Sequence, residues 1–283
     1  MDDTRYHDVR YCLFSRQQLR IQFPKPQFPM RKNLFDLARR RILVTGSNGG
    51  IGHSLALGLA QHGATVILNG RRADKLHAAA ELLRQQGLSA EEARFDITSE
   101  AEVAEAFEIL DSRGGVDVLI NNAGIQRRIS LEKVDLGTWN EVLLTNLTSA
   151  MLVSREASKR MIRKRAGKII NICSLMSEVG RTTTGPYTAA KGGLKMLTKA
   201  MCADWAQYNI QINAIGPGYF ITEMTQVLAD NPEFDAWVKG RTPAQRWGKP
   251  EELVGSAVFL SAEASDFVNG QILYIDGGMI SVL

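Results

Sequence analysis

Tyr187 and Lys191 stand four residues apart in Tyr-Thr-Ala-Ala-Lys, a spacing that puts a phenol and an ammonium on one face of a helix. An ammonium beside a tyrosine favours phenolate, lowering a pKa that starts near ~10. The phenol then becomes a usable general acid or base near neutral pH. Ser174 lies upstream by 187 minus 174, or 13, residues, at the end of a β-branched run, where its hydroxyl can polarise a substrate carbonyl. Taken alone, a Tyr-x-x-x-Lys pair is usually surface decoration, so its weight depends on what else the chain supplies.

A second constellation is Thr45-Gly-Ser-Asn-Gly-Gly-Ile-Gly52, which follows one short apolar run and opens a helical pattern. That context suits a dinucleotide-binding loop. Gly46 permits the tight turn, Gly50 lets backbone approach a pyrophosphate and Gly52 allows close packing, while Ser47, Asn48 and Ile51 complete the loop. The free N–H groups and positive dipole of the helix start attract phosphate. The spacing departs from the commoner Gly-x-Gly-x-x-Gly, and a bare glycine set also reads as a flexible turn. The next apolar run ends in Asn69-Gly-Arg71-Arg72, near where an acid would grip the ribose hydroxyls of NAD. Two arginines instead suit the 2′-phosphate of NADP, although such a pair can also be solvated helix-start decoration. Asp96, with Ile97 beside it, either accepts from the adenine amino group or caps a helix starting near Thr98.

These residues need elements to position them. Short β-branched runs at 42–45, 65–69, 92–95, 118–121, 168–173, 211–215 and 271–275 alternate with amphipathic stretches long enough for crossover helices. The pattern predicts a doubly wound α/β domain, a parallel sheet with helices on both faces. Residues 1–29 show no periodicity and contain Phe-Pro-Lys-Pro-Gln-Phe-Pro. We read them as an appendage to a domain over 30–283, either a flexible arm or sequence upstream of a natural start at Met30.

Composition narrows the class. The chain has 283 residues, 34 basic and 30 acidic, and a net charge of +4. That mixed balance argues against nucleic-acid binding. Three scattered cysteines give neither a disulfide framework nor a metal site and fit a reducing cytoplasm. No apolar run reaches the roughly 18 residues a membrane span needs.

With Asn121-Asn-Ala-Gly124 and Asn146 added, the glycine loop and the Ser174, Tyr187 and Lys191 set resemble the classical short-chain dehydrogenase/reductase family across residues 36–283. The resemblance implies a catalytic tetrad of Asn146, Ser174, Tyr187 and Lys191. In it Tyr187 passes the proton, Lys191 lowers its pKa and holds the nicotinamide ribose, Ser174 orients the carbonyl and Asn146 holds a relay water. It also implies that Asn122, Ala123 and Gly124 line the adenosine side and that Pro217, Gly218 and Thr222 cover the nicotinamide. No metal is required, and a homotetramer is implied. Many NADP-preferring members carry a basic residue where Gly49 stands, so NADP preference over NAD rests on Arg71 and Arg72.

Four further stretches, 121–128, 172–181, 241–248 and 264–270, resemble a branch of this family whose members interconvert D-gluconate and 5-keto-D-gluconate. A sugar acid needs a cationic anchor, and Arg127 and Arg128 follow the Asn-Asn-Ala-Gly turn. Arg181, in the second stretch, is the fallback. Glu178 is a candidate for sugar hydroxyls or a loosely held divalent ion, against a plain reading as a solvated loop carboxylate. Rival functions are reduction of a 3-oxoacyl thioester or another polyol, and NADP(H) sensing without turnover. The intact Tyr187 and Lys191 argue against the sensor.

Overall fold

The computed structural model describes residues 33–282. The expected appendage over 1–29 lies outside the described residues.

Seven parallel strands form one sheet: β1 (Arg41–Val44), β2 (Thr65–Asn69), β3 (Ala90–Ala93), β4 (Val118–Asn121), β5 (Gly167–Ile172), β6 (Ile210–Pro217) and β7 (Ile272–Ile275). Their order is β3-β2-β1-β4-β5-β6-β7. The connections carry α1 (Gly50–Gln61), α2 (Ala73–Arg84), α3 (Glu100–Ser112), α4 (Leu136–Leu143), α5 (Ser149–Lys164), α6 (Gly185–Trp205), α7 (Gln226–Ala229), α8 (Pro232–Arg241) and α9 (Val254–Ser261). The two-residue period of the strands divides the core. Ile42, Val44, Val66, Leu68, Val118 and Ile120 pack into one cluster with Leu55 and Leu59 of α1. The alternate residues Leu43, Ile67 and Leu119 pack on the other face with Phe107 of α3 and Val153 of α5. Leu43, Ile67 and Leu119 are fully buried, and each contributes about 1.5–3 kcal/mol by leaving water.

One predicted strand is displaced: β3 covers Ala90–Ala93 rather than 92–95. Its only neighbour, β2, ends at Asn69, which pairs with Ala93. Beyond that point the Asn69 side chain takes over, donating to the carbonyls of Ala93 and Phe95 at 3.0 and 3.1 Å. Phe95 turns into the core instead of extending the edge strand.

The order reverses at β1, which lies between β2 and β4. In open α/β sheets the crevice outside the strand ends at such a point is where ligands bind. The glycine loop, the turn after β4 and the segment after β5 all converge there. Among the described residues no helix is long and apolar enough to cross a membrane.

Candidate active site

A cleft of about 880 Å³ opens at this reversal. On its cofactor side, close packing explains the glycines. Gly46 has φ +60°, and a Cβ there would meet Ala123 at 2.9 Å; a Cβ at Gly52 would lie 2.4 Å from Asn122 Nδ2. Gly50 differs: its φ is +54°, but nothing lies within 4 Å of a Cβ position, which leaves room for a phosphate to reach the backbone. Gly49 caps α1 without a side-chain hydrogen bond, and the first turn has no acid. The helix start therefore offers its N–H groups and dipole unopposed.

Asn122 secures the loop, its Nδ2 donating to Thr45 O at 2.9 Å and Gly46 O at 3.1 Å. Asn48, Ile51, Ala123, Pro217, Gly218 and Thr222 line the cleft as expected. Ser47 does not. Its fully buried hydroxyl donates to Val44 O at 2.7 Å and accepts from Asn69 N at 3.0 Å, tying β1 to β2, so this side chain holds the loop and only its backbone is left to face a cofactor.

Arg71 and Arg72 both line the cleft. Arg71 is exposed and reaches Asp96 at 3.3 Å. Asp96 also accepts from Thr98 N and Oγ1 at 2.9 and 2.7 Å; burial, the largest single effect, pushes its carboxyl up, but the Thr98 bonds and Arg71 together hold it below the usual range. It does not cap a helix at Thr98: α3 starts at Glu100, with Ser99 as its cap. Ile97 lies alongside in the cleft, and Lys75 adds a third cation that the sequence reading missed. Its signal was a basic residue one helical turn past Arg72.

The candidate tetrad converges. Asn146 sits in a π-helical turn, Leu144–Thr148, between α4 and α5, the kind of irregularity often found at functional sites. The turn aims the buried Asn146 at the segment after β4, where Nδ2 donates to Ile125 O at 2.9 Å and Oδ1 accepts from Ile125 N at 3.2 Å. Gly124 is required beside it, since a Cβ there would lie 2.5 Å from Asn146 Oδ1. Ser174 follows β5, and its hydroxyl accepts from Met176 N at 3.2 Å. Pro186 opens α6, whose first two turns carry Tyr187 and Lys191.

The electrostatics differ from expectation. Burial pushes the Tyr187 phenol up to about 12, and the groups pulling against it are the Ser174 hydroxyl and the Arg128 guanidinium rather than Lys191. Lys191 Nζ donates to Ile172 O at 2.6 Å, lies 5.6 Å from the centroid of the Tyr187 ring and is itself pushed down to about 8 by burial. At neutral pH the tyrosine holds its proton, the state needed to donate to a carbonyl oxygen.

The substrate side separates the two expected anchors. Arg127 is engaged by Glu141 through bonds of 3.0 and 2.7 Å. Arg128 also lines the cleft, but among the described residues it has one polar contact, Nη2 to Gln126 Oε1 at 3.2 Å, and its buried Nη1 has no partner. Burial and then the charge of Arg181 lower its pKa. Glu178 is not brought to the cleft. Its carboxylate binds Lys195 and accepts from the Tyr274 hydroxyl at 2.7 Å, joining α6 to β7. Among the described residues no acidic, histidine and cysteine cluster could hold a metal.

A glycine loop at the reversal of a parallel sheet, facing a Ser–Tyr–Lys group of which Lys191 is buried and Ser174 and Tyr187 are half-buried, marks a dinucleotide-dependent oxidoreductase of the short-chain kind. The chain belongs to the short-chain dehydrogenase/reductase family, and the model described as Enoyl-(Acyl carrier protein) reductase matches residues 46–280. It is 50% identical to the 5-keto-D-gluconate 5-reductase of Escherichia coli K12 over 88% of this chain and 98% of that one. Identity with the gluconate 5-dehydrogenase of Gluconobacter oxydans is 48%, over 87% and 97% respectively. A solved gluconate 5-dehydrogenase of Burkholderia cenocepacia, in complex with NADP and tartrate, superposes with a TM-score of 0.86 at 47% identity, covering 88% of this chain and 98% of that one.

Proposed function

We propose that the protein is an NADP(H)-dependent oxidoreductase that interconverts D-gluconate and 5-keto-D-gluconate, acting as a cytoplasmic homotetramer. The single observation that carries the substrate class is Arg128: a guanidinium in the cleft wall, close enough to act on the Tyr187 phenol, with a buried donor that has no partner. Buried polar groups are nearly always paired, and a carboxylate satisfies a guanidinium best. The names of the E. coli and Gluconobacter relatives support the same substrate. The family resemblance supports the tetramer, and the free thiols of Cys173 and Cys202 support the compartment.

The site residues fit NADP. The open Gly50 and the uncapped start of α1 would seat the pyrophosphate, Asn122 and Gly124 would flank the adenosine, and Arg71, Arg72 and Lys75 would face the 2′-phosphate. When bound, the cofactor supplies or accepts the hydride. The rest falls to the chain: Ser174 orients the C5 carbonyl, Tyr187 donates its proton to the oxygen, and Lys191 holds positive charge near the resulting phenolate. Arg128 fixes the carboxylate end, so that C5 is presented to the reacting groups. A 3-oxoacyl thioester is disfavoured because its reacting end brings no carboxylate to Arg128.

A spectrophotometric screen of 5-keto-D-gluconate, 2-keto-D-gluconate, fructose and an acetoacetyl thioester, each with NADPH and NADH, tests this reading. The highest kcat/KM is expected for 5-keto-D-gluconate with NADPH. A preference for the thioester or the neutral ketose would refute it.

A further inference from the structure

Arg181 lines the same cleft as Arg128 and is held from two sides. Its Nη1 donates to the Tyr219 hydroxyl at 3.1 Å, and its guanidinium lies 4.5 Å from the centroid of the Phe234 ring. Those rings belong to a packed aromatic group, in which Tyr219 meets Phe234, Trp237 and Trp247 edge-on at 5.7, 5.8 and 5.6 Å. A side chain clamped in this way loses little freedom when it binds a ligand.

Arg181 is also tied to Arg128. The Ile129 N–H donates to Thr183 O at 3.2 Å, stapling the turns that carry the two arginines. Thr183 holds φ +65°, a conformation that β-branched residues avoid. The guanidiniums are near enough that the charge of Arg181 acts on Arg128. Among the described residues no ion pair joins either to a carboxylate. Glu141 is taken by Arg127 and Asp96 by Arg71. A monocarboxylate can relieve one of these charges and leaves the other facing hydroxyls or water.

We propose that Arg181 is a specificity-determining residue that works with Arg128 as a two-guanidinium seat, so that the cleft binds hydroxy dicarboxylates more tightly than monocarboxylates of the same length. This rests on Arg128 being the carboxylate anchor. One carboxylate would sit on each arginine, and the diacid would compete with the sugar acid for the cleft.

The test uses two ligands that differ only at C6, D-glucarate and D-gluconate, titrated calorimetrically into the NADP-loaded enzyme at constant ionic strength. In the wild type, D-glucarate is expected to bind roughly tenfold or more tighter, the scale of one charge-assisted contact. Arg181→Gln should abolish that preference by lowering D-glucarate affinity roughly tenfold more than D-gluconate affinity. Tyr219→Phe, which removes only the hydroxyl that steadies Arg181, should erode the preference in part, and it serves if the glutamine variant does not fold. Equal affinity for the two acids in the wild type, failure of both to bind, or equal losses for both in Arg181→Gln would overturn the proposal. Arg128→Leu separates it from the anchor reading: that reading fails if the variant binds D-gluconate as the wild type does. The role of Arg181 is then judged by the first two proteins alone.

Discussion

The two halves of the cleft are built on opposite plans. On the cofactor side nearly every polar group is spent internally: Ser47 bridges β1 and β2, Asn122 holds the glycine loop, and a Cβ at Gly52 would fall 2.4 Å from Asn122 Nδ2. What remains for a ligand is backbone, a helix start and exposed cations. On the substrate side the side chains do the recognising, and at Arg128 a buried donor is left without a partner. On the proposed reading, the first half recognises a ligand common to many enzymes by shape, and the second keeps the unpartnered Arg128 donor for one particular ligand. Changes on the two sides should therefore fail in different ways.

The largest effect is expected at their boundary. Tyr187→Phe keeps the ring and removes the proton donor, so turnover should fall by roughly 10² to 10⁴ while NADPH binding, followed by fluorescence, stays near wild type. Retention of more than about a tenth of wild-type activity would mean that another group donates the proton. Next, Arg128→Leu should lower kcat/KM for 5-keto-D-gluconate about ten- to hundredfold and change a neutral ketose little. Parallel losses on both substrates would erase the contrast, because Arg128 would then be supporting structure.

On the cofactor side the matching change is Arg71→Ala with Arg72→Ala. Arg71 is 74% exposed, so solvent screens its charge, and the KM for NADPH should rise by only about tenfold relative to that for NADH. An equal rise for both cofactors would place the arginines away from the 2′-phosphate.

The smallest effect is in pH. Burial lowers Lys191 to about 8, so its cation persists below that value and is lost above it. On the role proposed for Lys191, the positive charge held near the newly formed phenolate then disappears, and the rate of reduction should bend downward as pH rises through about 8. A profile flat between about pH 7 and 9.5 would detach Lys191 from proton transfer.

Period and glycine chemistry made most of the scaffold legible. The strands at 65–69 and 118–121 were readable to the residue because both faces are buried and the apolar run is continuous. The 92–95 strand was misplaced because an edge strand has a single neighbour, and where that neighbour stops is a tertiary fact. Spacing placed Tyr187 and Lys191 on one helix face and the family resemblance added Asn146, but the electrostatics of Tyr187 were not legible. An i, i+4 lysine can turn to a backbone carbonyl instead, as Lys191 does toward Ile172. The contacts of Glu178 were hidden for a related reason, since Tyr274, one of its two partners, is 96 residues away. Arg181 gains its neighbours from α8 and the segment after β6, and no local pattern marks it.

The place of β1 in the sheet also sets a schedule for synthesis. Its second neighbour, β4, pairs Val118 with Ile42, and 118 minus 42 is 76 residues. At roughly 5 to 20 residues per second, a ribosome takes about 4 to 15 s to deliver it. β2 can pair with β1 as soon as it is made, but for the whole interval the other flank of β1 stays an open edge of unpaired N–H and C=O groups. The strand that launches the glycine loop is thus the one most exposed to mispairing on the nascent chain.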